Sequence, residues 1–216
     1  DTTRAGNEKV AEIMRTFGGR GVMADDSAPT PAVDAVKKFN VRNGFELEVA
    51  ASEPAVAQPL FVSWDSRGRM WVVQYRQYQY PAGLKVIRFD QHLRAVFDKV
   101  PDPPPMGTPG LDKITVHEDT DGDGLADKTS IYAEGFTDEI AGIAAGVLHH
   151  NGDVYTTIVP DVWKLRDTDN DGKADTRESL AYGFGAHLAY AGHDMHGLTV
   201  GPDGRIYWTI GDKGVG

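Results

Sequence analysis

Two short segments hold most of the side chains that could do chemistry, and both are rich in aspartate. Each follows the pattern DxDxDGxxD, and the two copies start 48 residues apart. Four carboxylates within nine residues repel one another unless a cation lies among them, and Ca²⁺ takes about 6–8 oxygen ligands. The pattern therefore predicts two calcium loops. The predicted ligands are Asp119, Asp121, Asp123, the Leu125 carbonyl and Asp127 in the first loop, and Asp167, Asp169, Asp171, the Lys173 carbonyl and Asp175 in the second.

The twelfth position distinguishes the two loops. It is Glu178 in the second loop, which therefore fits the EF-hand expression, and Ser130 in the first, which does not. An EF-hand needs flanking helices, whereas the segments VWKL before the second loop and TSIY after the first are typical of strands. We therefore expect calcium loops at β-turns, with Glu178 as a further ligand. The alternative is two solvated Asp-Gly turns without an ion.

Two histidines, His193 and His196, lie three residues apart in the tract HDMHGL. Imidazole titrates near neutral pH and is chemically suited to act as a general base, the catalytic role that the family resemblance described below implies for His193, with His196 as the alternative. The alternative is that one or both only hydrogen-bond to the backbone. The remaining histidines have no motif around them and are expected at the surface or in packing; they are His92, His117, His149, His150 and His187.

Composition and charge narrow the classes of partner. The net charge of −10 argues against nucleic acid and against an anionic membrane surface, and it falls to −2 without the eight loop aspartates. No stretch approaches the roughly 20 apolar residues of a transmembrane helix. The absence of cysteine excludes disulfides, thiolate metal sites and a CxxCH haem attachment within these residues.

The elements that must position these residues are mainly strands. The sequence predicts a helical segment and linker over residues 1–38, with helices over 8–17 and 32–39. It predicts β-structure over residues 39–216. Hairpins with turn glycines at 68, 152 and 204 recur 84 and 52 residues apart, which is typical of a β-propeller. In that fold each aspartate loop would join the outer strands of one blade. A six-bladed ring needs roughly 250–300 residues, so we expect three to four blades, ending within a blade, in a fragment or in a ring that another chain completes.

The segment from residue 193 to 212 resembles the quinoprotein soluble glucose and aldose sugar dehydrogenases, through HDMHGL and GPDGRIYWTIGD. The chain is more similar still to a planctomycete and verrucomicrobial group of membrane-bound dehydrogenases with the same propeller. This second resemblance covers most of the chain from Phe39 and includes NGFEL, ASEP, MWV, YQYPAG and both aspartate loops.

The resemblance implies an all-β, six-bladed propeller that binds pyrroloquinoline quinone (PQQ) over its central channel with calcium. In the sugar dehydrogenases a histidine takes the proton of the C1 hydroxyl while hydride moves to the quinone, and His193 corresponds to it by position. The residues on either side of His193 differ from those of the sugar dehydrogenases. The family carries an acid before that histidine and a Gly-Arg pair after it, whereas this chain has Gly192 and then His196-Gly197.

The function implied by the resemblance is oxidation of a sugar or related alcohol, with electrons passing to a cytochrome c domain or protein outside these residues. Gln74 and Arg76, at the start of an aromatic and polar tract, and Asp212 are the candidate cofactor-binding residues. Open calcium loops suit millimolar calcium, so we expect an extracytoplasmic location, either periplasmic or secreted, or with membrane association through regions outside these residues. The alternative function is a non-catalytic, calcium-stabilised propeller that binds a glycan or a partner protein.

Overall fold

The computed structural model describes residues 28–76, 86–89, 95–98, 110–136, 142–184 and 195–211. The chain divides into two compact units, one of Asp1–Thr30 with Gly83–Pro101 and one of Pro31–Ala82 with Asp102–Gly216. The described secondary structure of the first unit is an antiparallel hairpin, β3 (Val86–Phe89) with β4 (Ala95–Phe97). The helix predicted over residues 8–17 lies outside the described residues.

The second unit opens with a short helix. The α-helix α1 (Ala32–Ala35) continues as a 3₁₀ turn, Val36–Lys38, and none of its residues is buried. Lys37 pairs with Asp34 at 2.8 Å on its exposed surface. The short helix predicted over 32–39 is confirmed. In the part of the chain that the structure describes, no helix has the length and apolar character needed to cross a membrane.

Two four-stranded antiparallel sheets contain eight of the ten strands that the structure describes in the second unit. Sheet 1 has the order β1-β2-β5-β6, and sheet 2 has the order β7-β8-β9-β10. The strands of sheet 1 are β1 (Pro59–Trp64), β2 (Met70–Gln74), β5 (Lys113–Glu118) and β6 (Lys128–Ala133). Those of sheet 2 are β7 (Gly142–His150), β8 (Asp153–Val159), β9 (Asp161–Arg166) and β10 (Thr176–Tyr182). A further antiparallel hairpin follows, β11 (His196–Val200) with β12 (Ile206–Thr209), and the predicted all-β class is confirmed.

The three predicted hairpins are present. Their turns contain Gly68, Gly152 and Gly204, with φ of 78°, 83° and 76°. The middle turn is Asn151-Gly152, and both of its residues have positive φ, as a tight two-residue hairpin requires. These left-handed turn positions explain why the glycines recur in the sequence.

Two buried apolar clusters join the sheets. The larger one lies between sheet 1 and sheet 2 and includes Trp71, Ile114, Tyr132, Val147 and Leu165. The smaller one joins sheet 2 to the β11–β12 hairpin, and its buried members are Tyr75, Val159, Val162 and Met195. Strand β7 contacts β1 and β2 of sheet 1 and also β11 of the hairpin. The first strand of sheet 2 is therefore a neighbour of the first strand of sheet 1 and of the first strand of the β11–β12 hairpin.

Candidate metal centre

Both aspartate loops occupy the same place in their sheets. The first loop, residues 119–127, joins β5 to β6, and the second, residues 167–175, joins β9 to β10. These are the last two strands of sheet 1 and of sheet 2. The expectation that each loop joins the outer strands of a four-stranded unit is confirmed.

The first aspartate of each loop fixes the loop backbone. Asp119 accepts hydrogen bonds from the N–H groups of Gly122 and Gly124, at 2.6 and 2.9 Å. Asp167 accepts from the equivalent N–H groups, at 2.7 and 2.9 Å. The glycine after the third aspartate has φ of 93° in the first loop and 91° in the second, a conformation in which a Cβ is strained. The shared spacing thus produces the same turn twice.

The last aspartate closes each loop onto the threonine near its start. Thr120 donates from its N–H and its hydroxyl to Asp127, at 3.2 and 2.7 Å. Thr168 donates in the same way to Asp175, at 2.6 and 2.7 Å. These bonds bring the first and last aspartates of each loop together, although they are eight residues apart in the sequence.

Three carboxylates of each loop converge on a common position. Oxygens of Asp119, Asp121 and Asp127 lie within 4.8 Å of one another, and so do those of Asp167, Asp169 and Asp175. This spacing suits oxygen ligands around a single cation.

The remaining predicted ligands lie outside these groups of three. Asp123 and Asp171 accept hydrogen bonds from the N–H groups of Leu125 and Lys173, at 2.7 and 2.8 Å. Glu178 lies on β10 opposite Lys164 of β9 and is exposed.

Hydrogen bonds favour the charged form of one carboxylate in each loop, Asp119 and Asp175. The N–H groups of Gly124 and Gly122 lower the pKa of Asp119 below its usual value. The hydroxyl and N–H of Thr168 lower the pKa of Asp175. Both groups are therefore anionic at neutral pH, the form that binds a metal ion.

The second loop also takes part in the packing between the sheets. Ala174 N–H donates to the carbonyl of Tyr132 on β6 at 2.8 Å. Burial, reinforced by the negative charge of Asp167, raises the pKa of the Tyr132 hydroxyl to about 12. Arg177 of β10 donates to the carbonyls of Glu134 and Gly135 and lies over the Phe136 ring, with Cζ 4.5 Å from the ring centroid. Asp167 is half-buried there, whereas its counterpart in the first loop, Asp119, is exposed.

Two of the three candidate cofactor residues, Gln74 and Arg76, lie at the end of β2. Gln74 is fully buried, and its amide donates to the Ala55 carbonyl at 3.0 Å and to the Thr115 hydroxyl at 2.8 Å. Its carbonyl oxygen accepts from Ala57 N–H and from the Arg76 guanidinium, at 3.0 and 2.9 Å. A cofactor contact with Gln74 would have to replace one of these bonds.

The structure describes only one of the two candidate histidines, His196. His193 and Asp212 lie outside the described residues. His196 begins β11, its side chain is exposed, and its carbonyl accepts from the Thr209 hydroxyl at 3.2 Å. Tyr75, between Gln74 and Arg76, shares a buried cluster with Met195, which precedes His196. The cluster therefore brings the end of β2 and the start of β11 together.

Two polar groupings were not predicted from the sequence. One is a buried chain of hydrogen bonds through His117, for which the sequence offers no motif. The other is a cavity between the sheets, lined by Arg67, Arg69, Trp71 and His149. The run RGRMW from residue 67 could have indicated it, because it alternates arginines with an aromatic residue at a turn. The second wall comes from β7, which is distant in sequence.

Comparison with known proteins gives one match. No curated protein and no solved structure matches the sequence. The model of a family described as a domain of unknown function, DUF7133, matches residues 31–216, and the chain therefore belongs to that family.

Proposed function

We propose that this chain is a calcium-binding portion of a β-propeller, with one Ca²⁺ bound in each aspartate loop. The observation that carries the proposal is the repetition of the donor geometry: the same three positions of both loops place their carboxylates within 4.8 Å. Backbone carbonyls of Leu125 and Lys173 and solvent would complete the 6–8 oxygens that Ca²⁺ takes. Calcium is favoured over Mg²⁺ because Mg²⁺ demands a stricter octahedral arrangement.

The propeller is proposed from the repetition of the sheets. Sheet 1 and sheet 2 have four antiparallel strands each, and their aspartate loops join the same strands. The β11–β12 hairpin then begins a third unit, and its first strand lies next to β7. Further blades, on the same polypeptide or on another chain, would complete a ring of six. The proposed location is extracytoplasmic, where millimolar calcium saturates open loops.

Calcium would stabilise the fold because only the folded loops bring the carboxylates together. A ligand at 100 times its Kd that binds the folded state alone adds about 2.7 kcal/mol per site. The second loop should transmit this stabilisation to the contact between sheets, since Ala174 is hydrogen-bonded to Tyr132 of sheet 1.

Thermal unfolding of the whole chain tests this proposal. We expect millimolar CaCl₂ to raise the Tm by several degrees relative to EDTA. Asp167→Ala should reduce that rise, whereas the control Asp34→Asn, which alters an exposed aspartate on α1, should leave it unchanged. Equal melting temperatures in calcium and in EDTA would contradict the proposal.

A second candidate function is the oxidation of a sugar or related alcohol with a bound quinone. It is supported by the buried cluster that brings Tyr75 and Met195 together, since the neighbouring Gln74, Arg76 and His196 are candidate site residues. The quinone would accept a hydride from the alcohol carbon, and His193 or His196 would accept the hydroxyl proton. The two electrons taken from the alcohol would then pass on, one at a time, to a cytochrome c domain or protein outside these residues.

Dye reduction by the full-length protein tests the second candidate. The assay would supply calcium, PQQ and a panel of aldoses and polyols. We expect turnover with at least one substrate, and a decrease of about 10²-fold or more on replacing the active histidine, His193→Ala or His196→Ala. An unchanged Tm in that variant would show that the loss is not due to unfolding. Absence of both turnover and PQQ binding would favour the non-catalytic alternative, a propeller that binds a glycan or a partner protein.

A further inference from the structure

A polar cavity of about 230 Å³ lies between sheet 1, sheet 2 and the second aspartate loop. Sheet 1 contributes Arg67 and Arg69 from the β1–β2 turn, sheet 2 contributes His149 from β7, and the loop contributes Asn170 and Gly172. Pockets for drug-sized ligands usually measure about 300–1,000 Å³. The volume therefore suits a smaller ligand, about the size of a monosaccharide.

Arg69 is held rigidly in the wall of this cavity. Its Nε pairs with Asp65 Oδ2 at 2.7 Å, and its Nη1 approaches Glu118 Oε1 at 3.4 Å. Its Cζ lies 5.3 Å from the centroid of the Trp71 ring, whose N–H also binds Asp65. Burial opposes the charge of Asp65, but hydrogen bonds from Trp71 and Arg69 lower its pKa to about 2. The Asp65 carboxylate therefore stays charged and fixes the orientation of Arg69.

Arg67 provides a second positive charge with a different role. Its backbone N–H binds Asp65 Oδ1 at 2.9 Å, which places the residue in the turn. Its side chain is exposed and has no ion pair with any carboxylate of the described residues. A guanidinium without a partner at a cavity wall is a ready donor for a planar carboxylate.

His149 provides a neutral hydrogen-bonding group on the opposite wall. Its ring lies 5.5 Å from the Trp71 ring at an angle of 31°. Burial lowers the pKa of His149; the negative charge of Asp65 opposes this shift, and the positive charges of Arg69 and Arg67 add to it, so that the net effect lowers the pKa. The neutral ring offers one N–H donor and one nitrogen acceptor, a combination that suits a carboxylate beside a hydroxyl group.

The acidic groups nearby limit the ligand's charge. A second cavity of about 400 Å³ shares Arg67 and Arg69, but Glu118 and Asp119 line it and disfavour an anion. In the first cavity the only carboxylate among the described lining residues is Asp167, and both of its oxygens accept backbone N–H groups. Arg67 provides one positive charge without a carboxylate partner, which suits a monoanion. The negative charge of Asp167 further disfavours a dianion such as phosphate.

We propose that this cavity binds the carboxylate group of a small polyhydroxylated acid, of the size of a hexuronic acid, with Arg67 and Arg69 as cationic donors and His149 facing the hydroxyl groups. The cavity borders the second proposed calcium position, because Asp167 lines the cavity and is also one of the three converging carboxylates of that loop. Binding of the acid does not depend on redox chemistry.

Binding of galacturonate to the whole chain, measured by calorimetry or by NMR titration, tests the proposal. Neutral galactose and inorganic phosphate serve as comparison ligands. We expect galacturonate to bind more tightly than either. Arg67→Ala should raise the Kd for galacturonate about tenfold, because a hydrogen bond to a charged group is lost. Arg42→Ala, which removes an exposed arginine away from the cavity, should leave the Kd unchanged.

Three results would overturn the proposal. One is galacturonate binding no better than galactose, or not at all at millimolar concentration. Another is an equal Kd in Arg67→Ala and Arg42→Ala when both variants keep the wild-type Tm. The third is phosphate binding more tightly than galacturonate, which would assign the arginines to a dianion.

Discussion

His117 lies in a chain of hydrogen bonds that crosses sheet 1. Its Nε2 is 2.8 Å from the Thr115 hydroxyl, and its Nδ1 is 2.9 Å from the Thr129 hydroxyl. The Thr115 hydroxyl in turn accepts from the buried Gln74 amide. A neutral imidazole has one donor and one acceptor nitrogen, and two hydroxyl groups can satisfy both. The side chain is 1% exposed, so its role is structural, as the sequence indicated for a histidine with no motif.

The burial of His117 predicts a dependence of stability on pH. Desolvation lowers its pKa below the usual 6.5, so the unfolded chain binds a proton more readily than the folded one. The stability that the neutral, buried His117 contributes is therefore complete above the pKa of this histidine in the unfolded chain, about 6.5. It is lost as the pH falls from there toward the lower pKa of His117 in the folded chain. We expect the unfolding free energy from urea titrations to fall between pH 7.5 and pH 5.5.

A His117→Gln variant separates this effect from other titrations. At pH 7.5 the substitution should lower the unfolding free energy by about 1–3 kcal/mol. The reason is that the glutamine amide poorly replaces the buried imidazole as a hydrogen-bond partner of Thr115 and Thr129. Its stability should also depend less steeply on pH than that of the wild type. His149→Gln serves as the control variant, because burial also lowers the pKa of His149 and this histidine therefore contributes its own pH dependence. Parallel pH profiles for the wild type and His117→Gln would contradict this assignment.

At the scale of elements, β10 connects the second aspartate loop to the end of β6. Arg177 carries this connection through the carbonyls of Glu134 and Gly135 and through the Phe136 ring. We expect Arg177→Ala to lower the unfolding free energy by about 1–2 kcal/mol, since it removes bonds to two carbonyls and uncovers an aromatic ring. Urea unfolding at saturating calcium measures this change, with Arg42→Ala as the exposed control. Equal losses in the two variants would contradict the connection.

Local features of the elements could be predicted from the sequence because their causes are local. Gly68, Gly152 and Gly204 mark turns whose φ is positive, and the DxDxDG spacing determines the hydrogen bonds within nine residues. The contact of Ala174 with Tyr132 could not be predicted in this way. It joins residues of two different sheets, and no periodicity in the sequence determines how two sheets face each other.

The candidate sites likewise differ in whether their causes are local in the sequence or depend on contacts between sheets. The aspartate loops bring their own carboxylates together, so the candidate metal ligands could be read from the sequence. The cavity of Arg67 and His149 forms only after β1–β2 and β7 pack around Trp71. His193, His196 and Asp212 were chosen by resemblance, and their roles remain predictions.

At the scale of the whole molecule, the charge is concentrated in two places. Eight of the 32 acidic residues are the aspartates of the two loops. We therefore expect stability without calcium to rise with ionic strength, as salt screens repulsion within each loop. Choline chloride added from about 10 mM to about 200 mM should raise the Tm more in EDTA than in saturating calcium. The same increase in both conditions would contradict this account of the charge.

The central claim is that each aspartate loop binds one calcium ion, and a calorimetric calcium titration of the whole chain tests it most directly. The wild type should bind two ions. Asp121→Ala and Asp169→Ala, equivalent changes in the two groups of converging carboxylates, should each bind one, and the double variant none. No binding at millimolar calcium, or two ions bound by both single variants, would contradict the claim.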